Sequence, residues 1–169
     1  MRRLVGFTVL VIALALPTLA FGVTTVSDDG ALSVKNGVGK VVLSPFKGSA
    51  LGRVASGKVV VVDPVFGDGG RFDLWGCDNR AKQSDTNEHV TVCTGSNLRF
   101  RVVDGRYKLY IVRATGINLS AVGRGQVTLD GRGDDPTVDS DGLYALNDSP
   151  YKSLPDFEKT FPLLTPVGG

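Results

Sequence analysis

The stretch that decides the fold is ALSVKNGVGKVVLSPFKGSALGRVASGKV, residues 31–59, read beside RFRVVDGRYKLYIVRATGINLSAVGRGQV, residues 99–127. Laid over each other at a constant offset of 68, the two need no gap and share Val34/Val102, Gly37/Gly105, Lys40/Lys108, Gly48/Gly116, Leu51/Leu119, Val54/Val122, Gly57/Gly125 and Val59/Val127. Glycines falling in register point to a duplicated unit rather than to chance similarity between two valine-rich segments. Apolar residues alternate on either side of Asn36-Gly37 and of Asp104-Gly105, a pattern of half-buried strands joined by two-residue turns. Each copy is therefore expected to open with a β-hairpin. Inward-facing sets follow: Leu32, Val34, Val41, Leu43, Val54 and Val59, matched by Phe100, Val102, Leu109, Ile111, Val122 and Val127.

Outward from that core, ALGRVASGKV and NLSAVGRGQV place Leu and Val three apart before a glycine, which reads as a helical turn or compact loop. Strands are expected at 58–63 and 126–130, at 71–75 and 142–146, and as leading strands at 23–26 and 89–93. About ten short strands and no amphipathic helix of useful length make an all-β chain. Its two repeats, about 23–77 and 89–147, would pack as an antiparallel sandwich or a closed barrel, within a single β domain spanning 21–147. Residues 148–169 hold four of the prolines and read as an extended C-terminal tail, with Phe157, Phe161, Leu163 and Leu164 available to pack along the domain.

The first twenty residues have the layout of a secretory signal: Arg2 and Arg3, an apolar run from Leu4 to Leu16, then Pro17-Thr18-Leu19-Ala20 with small residues where a signal peptidase reads. The apolar run is shorter than the ~20 residues that span a bilayer, so removal of the leader leaves no stable membrane span. Exported material should begin at Phe21. Intact mass retaining Arg2 and Arg3 would show instead that the leader is kept. The chain holds 19 Lys and Arg against 17 Asp and Glu; the leader carries two of the bases and no acid, so the remainder balances. That balance lends no support to a nucleic-acid or anionic-membrane surface.

Cys77 and Cys93 are the chain's two cysteines, and in an exported protein they are expected to form a disulfide. The chemical alternative is a reactive thiol with His89 as its base. His89 is the single histidine, which excludes a histidine-rich metal site, and no GxSxG string marks a nucleophile elbow. An envelope-acting hydrolase would have to use His89 with carboxylates of the acidic loop DGRGDDPTVDSDG, which concentrates Asp130, Asp134, Asp135, Asp139 and Asp141. Asp139 and Asp141 are also weak candidates for calcium, but Thr137 occupies the first ligand slot, and a solvated acidic turn explains the loop as well. No cofactor is expected. Arg132-Gly133-Asp134 spells an adhesion tripeptide, short enough to recur by chance, and Asn118-Leu119-Ser120 matches a glycosylation acceptor, which matters only in a eukaryotic secretory route. Phe72 and Trp75, beside Cys77, read as core packed on the disulfide, with a sugar platform as the alternative.

The segment LRFRVVDGRYKLYIVRATGINLSAVGRGQVTLDG resembles a group of short exported proteins of high-GC Gram-positive bacteria that share GxYxxxIxGxGIxLSAVGRGxVxL. The resemblance covers roughly residues 30–147, most securely 98–131. It implies a bacterial exported β protein and carries over no catalytic residue. Ala114 stands where the group has glycine. From the residues themselves, a non-catalytic structural or binding domain is the leading expectation.

Overall fold

Valine, leucine and isoleucine at every second position give a chain that can bury one side only as strand, and strand is what forms. The computed structural model describes residues 29–64, 68, 70–84, 88–132 and 141–164, and among these there is no helix. Seven strands make one antiparallel sheet: β1 Gly30–Asp63, β2 Arg71–Trp75, β3 Asn79–Ser84, β4 His89–Asp130, β5 Leu143–Leu146, β6 Lys152–Ser153 and β7 Lys159–Leu163. The leader, the strand expected at 23–26, and Asp134, Asp135 and Asp139 lie outside the described residues.

In place of about ten short strands, two very long ones carry the fold. β1 pairs with β4 along one line from Gly30↔Gly123 to Asp63↔His89, and along a second from Lys40↔Asp130 to Val62↔Lys108. The same two strands thus supply several adjacent positions in the sheet. Across one arm the order runs β3, the start of β4, the end of β1, the middle of β4, the middle of β1, the end of β4 and β7, through the pairs Arg80↔Cys93, Val59↔Cys93, Val59↔Ile111, Val41↔Ile111, Val41↔Leu129 and Leu129↔Lys159. Across the other it runs β2, β4, β1, β4, β1, β5 and β6, through Leu74↔Phe100, Gly52↔Phe100, Gly52↔Leu119, Val34↔Leu119, Val34↔Tyr144 and Tyr144↔Lys152. The sheet is not a closed barrel: β2, β3, β6 and β7 end it, each with one paired neighbour among the described residues. One hydrophobic cluster takes Val41, Val59, Cys93 and Leu129 from the first arm and Leu32, Val34, Phe100 and Leu119 from the second.

The hairpins expected at Asn36-Gly37 and Asp104-Gly105 are absent. Both dipeptides are bulges inside long strands: Asn36 has φ 50° and Asp104 φ 32°, while neither following glycine takes a positive φ. A two-residue reversal of that type requires positive φ at both central positions, and a single one bends the strand without turning it back. The helical turn or compact loop expected near 50–59 and 118–127 is likewise strand.

The inward sets hold with one exception. Eleven of the twelve residues are buried, but Val122 is 53% exposed. Inward positions are Ala50 and Val54 in β1 but Ile117, Leu119 and Ala121 in β4, so facing slips by one residue between the segments. Alternation of side chains makes such a slip turn the whole set over. The C-terminal segment is more than a tail, because β6 and β7 belong to the sheet. Leu163 is fully buried and Phe161 packs on Tyr144 with ring centroids 5.5 Å apart, whereas Phe157 and Leu164 are exposed.

Candidate functional site

Cys77 and Cys93 are disulfide-bonded, with Cα atoms 5.3 Å apart, so neither is available as a nucleophile. Cys93 is fully buried in the core, and Cys77 leads into the exposed edge strand β3.

His89 opens β4, where its Nε2 lies 3.2 Å from the Ser84 hydroxyl and Asp63 is its register partner on the other side. Of the acidic-loop carboxylates, Asp130 stands well away from it. Asp130 pairs with Lys40 at the far end of the same arm, four strand spacings and about five residues of rise away, a separation on the order of 20 Å. Asp130 instead sits 3.4 Å from the Lys40 ammonium, which also bonds Glu158; that bond, reinforced by the Asp130 carboxylate, raises the Lys40 pKa. Asp141 offers its backbone carbonyl to the N–H of Val38 at 2.8 Å. Among the described residues no three His, Cys, Asp or Glu side chains group as metal ligands.

Trp75 departs from its expected place. Phe72 and Cys77 pack against the core, but Trp75 is 50% exposed at the end of β2. β2 is an edge strand whose inward residue is Leu74, and alternation sends Trp75 to the other face.

That face carries a row of exposed cations. Arg99 and Arg101 of β4 point outward between Leu98, Phe100 and Val102; Lys47, Leu51 and Arg53 of β1 point outward between Phe46, Ala50 and Val54. Register sets these cations side by side. Arg99 lies opposite both Trp75 and Arg53, Arg53 lies opposite Asn118, and Lys47 has Arg106 on one side and Arg124 on the other. Among the described ion pairs, none involves Arg53, Arg99 or Arg101; Arg124 lies 3.5 Å from Asp29. Asp73 lies opposite Arg101, Asp104 sits at the bulge, and the Asp68 carboxylate stands beside Arg106 and Lys47. Leu51, 61% exposed, and Val122 give the face an apolar centre.

No family model, curated protein or solved structure matches the chain. The site therefore has to be read from its own geometry.

Two shallow clefts flank the cationic columns. One, of about 350 Å³, is lined by Asn36, Arg53, Asn97, Arg99 and Asn118; it adjoins a second, lined by Trp75, Gly76, Asn97 and Arg99. A third, of about 570 Å³, lies at the other end of the columns between Phe46, Lys47, Arg106, Tyr107 and Arg124. Beside it Asp68 accepts the backbone N–H groups of Arg106 and Gly70, both at 2.9 Å, which holds its carboxyl below the usual range. The Tyr107 hydroxyl donates to the Val103 carbonyl at 2.9 Å, and burial, with Asp68 next in effect, pushes its pKa up to about 12. Tyr107 is thus a neutral structural pillar beside the Asp68 carboxylate.

Proposed function

We propose that this protein is an exported, non-catalytic binding domain that holds an anionic ligand on the outer face centred on Arg53 and Arg99. Export is supported by the leader sequence, by the disulfide, which suits an oxidising compartment, and by the resemblance to short exported bacterial proteins. The observation that carries the binding reading is the direct opposition of Arg99 to Arg53, neither of which takes part in the ion pairs of the described residues. Like charges directly across a strand pair destabilise a sheet, by roughly 1 kcal/mol per pair in a water-like dielectric at about 5 Å. A fold that carries such oppositions gains where a multivalent anion neutralises them.

The Arg99→Glu variant separates this reading from a structural one. It converts the like-charged pair into an opposite-charged pair, so the melting temperature should hold or rise slightly. Retention on an acidic polysaccharide column should nonetheless fall, with affinity down roughly 10–100-fold, the value of one charged hydrogen bond of about 1.5–3 kcal/mol. Unchanged retention and unchanged salt dependence would reject the proposal.

The two halves are read as copies of one unit. Support comes from pairs that correspond at the offset of 68: Val59↔Cys93 with Val127↔Phe161, and, allowing a few residues' difference in the edge strand, Val34↔Tyr144 with Val102↔Phe72. Lys40 and Lys108 correspond too, and each bonds a glutamate just before a strand, Glu158 before β7 and Glu88 before β4. The one-residue slip at Val122 is the place where the copies differ.

A further inference from the structure

We infer that the ligand of this face is an acidic saccharide chain, with the Trp75 indole as platform for one sugar ring and Arg99 and Arg53 as partners of its carboxylates. The inference rests on the anion-binding reading above and names its substrate class. The clefts at Trp75 and at Arg53 share Asn97 and Arg99, so they form one trough. It crosses the columns of Trp75, Arg99, Arg53 and Asn118, three strand spacings or about 14 Å, the reach of a short oligosaccharide. Along it stand an aromatic face, two guanidinium groups and the amides of Asn97, Asn36 and Asn118.

Each element answers a different part of an acidic sugar. An exposed indole takes the apolar face of a pyranose, at little ordering cost because its strand already fixes it. Guanidinium groups bind carboxylates through paired N–H donors. Amides both donate and accept, as hydroxyls require. A bare polyanion such as polyphosphate would need the cations alone and leave the indole and amides without a role.

The trough is also built before any ligand arrives. Asn118 accepts the Asn36 backbone N–H and donates to the Gly116 carbonyl at 3.1 Å, which fixes its amide. Gly76, at φ 77°, lets the end of β2 close on the Asn97 turn: a Cβ there would lie 2.6 Å from the Asn97 carbonyl oxygen. That approach sets the indole beside Asn97 and Arg99.

Trp75 is the single tryptophan of the chain, so its emission reports on this subsite alone. The full protein is titrated with oligogalacturonate, with an uncharged galactose oligomer and with inorganic polyphosphate. Oligogalacturonate should shift the emission saturably, and polyphosphate should bind without shifting it. By calorimetry, Trp75→Ala should weaken oligogalacturonate roughly tenfold or more, leave polyphosphate unchanged, and be partly rescued by Trp75→Phe. If Trp75→Ala leaves both affinities unchanged, the saccharide assignment is wrong and the anion face stands. Equal binding of the uncharged oligomer would overturn the acidic character of the ligand. Should none of the three bind, both readings fall.

Discussion

Val102→Asp should leave no folded protein, while Val122→Asp should be nearly silent. The two residues are both β-strand valines of β4, yet Val102 is 1% exposed, set between Ala50 and Phe72 in register and inside the cluster shared by both arms. A carboxylate there has no cation within the core to meet it, and burying it costs several kcal/mol against a total stability of about 5–15 kcal/mol. Because the two arms share one core, the loss should appear as one cooperative collapse rather than a partial one. Val122 faces outward between Ser49 and Ala31, and an exposed substitution of this kind should change stability by no more than about 0.5 kcal/mol. Circular dichroism melts of the two variants, expressed side by side, decide the matter. If both unfold, the one-residue slip in facing is absent and the strict alternation of the sequence holds.

Loss of the disulfide is the second large effect. The bridge closes a loop over a sequence separation of 16, for which chain-entropy reasoning gives about 3 kcal/mol. For a domain of this size that corresponds to a fall in melting temperature of roughly 6–12 °C. The Cys77→Ala, Cys93→Ala double variant should lose somewhat more than reduction does, since Cys93 is fully buried and alanine leaves a void beside it. Local effects should concentrate in β3, whose six residues are all exposed and whose neighbour in the sheet is the start of β4. Hydrogen exchange should show Asn79–Ser84 losing protection before the rest of the sheet opens. Thiol titration of unreduced, unfolded protein should find no free thiol; two would refute the bridge.

Much of the fold was legible because period-two alternation is a local property. Leu32, Val34, Val41 and Leu43 declare their inward face whatever the partner strand is. Asn36-Gly37 was misleading because its dipeptide fits either a turn or a bulge. Pairing of Val34 with Leu119 and Tyr144, and of Val41 with Ile111 and Leu129, settles that choice from far along the chain. Leu51 and Val54, three apart, imitated a helical turn, although one faces solvent and the other the core on a glycine-rich, bulged strand. The cationic face was hidden for a related reason. Arg53 and Arg99 are distant in sequence and become neighbours only through register, so a balanced composition concealed a segregated surface. Trp75 beside Cys77 suggested core, and only the edge position of β2 turns it outward.

The mutual dependence of β1 and β4 has a consequence for the newly made chain. Every paired position of β1 finds its neighbours in β4 or in the later β5, and none in residues close by. During synthesis β1 is thus a long, valine-rich ribbon without a partner until the start of β4 emerges, and its Lys40 edge stays open until residues near 130 have followed. Such a ribbon pairs readily with any other exposed strand, and contacts so remote in sequence form slowly. The yield of folded protein should therefore be governed by that interval more than by the stability of the finished sheet.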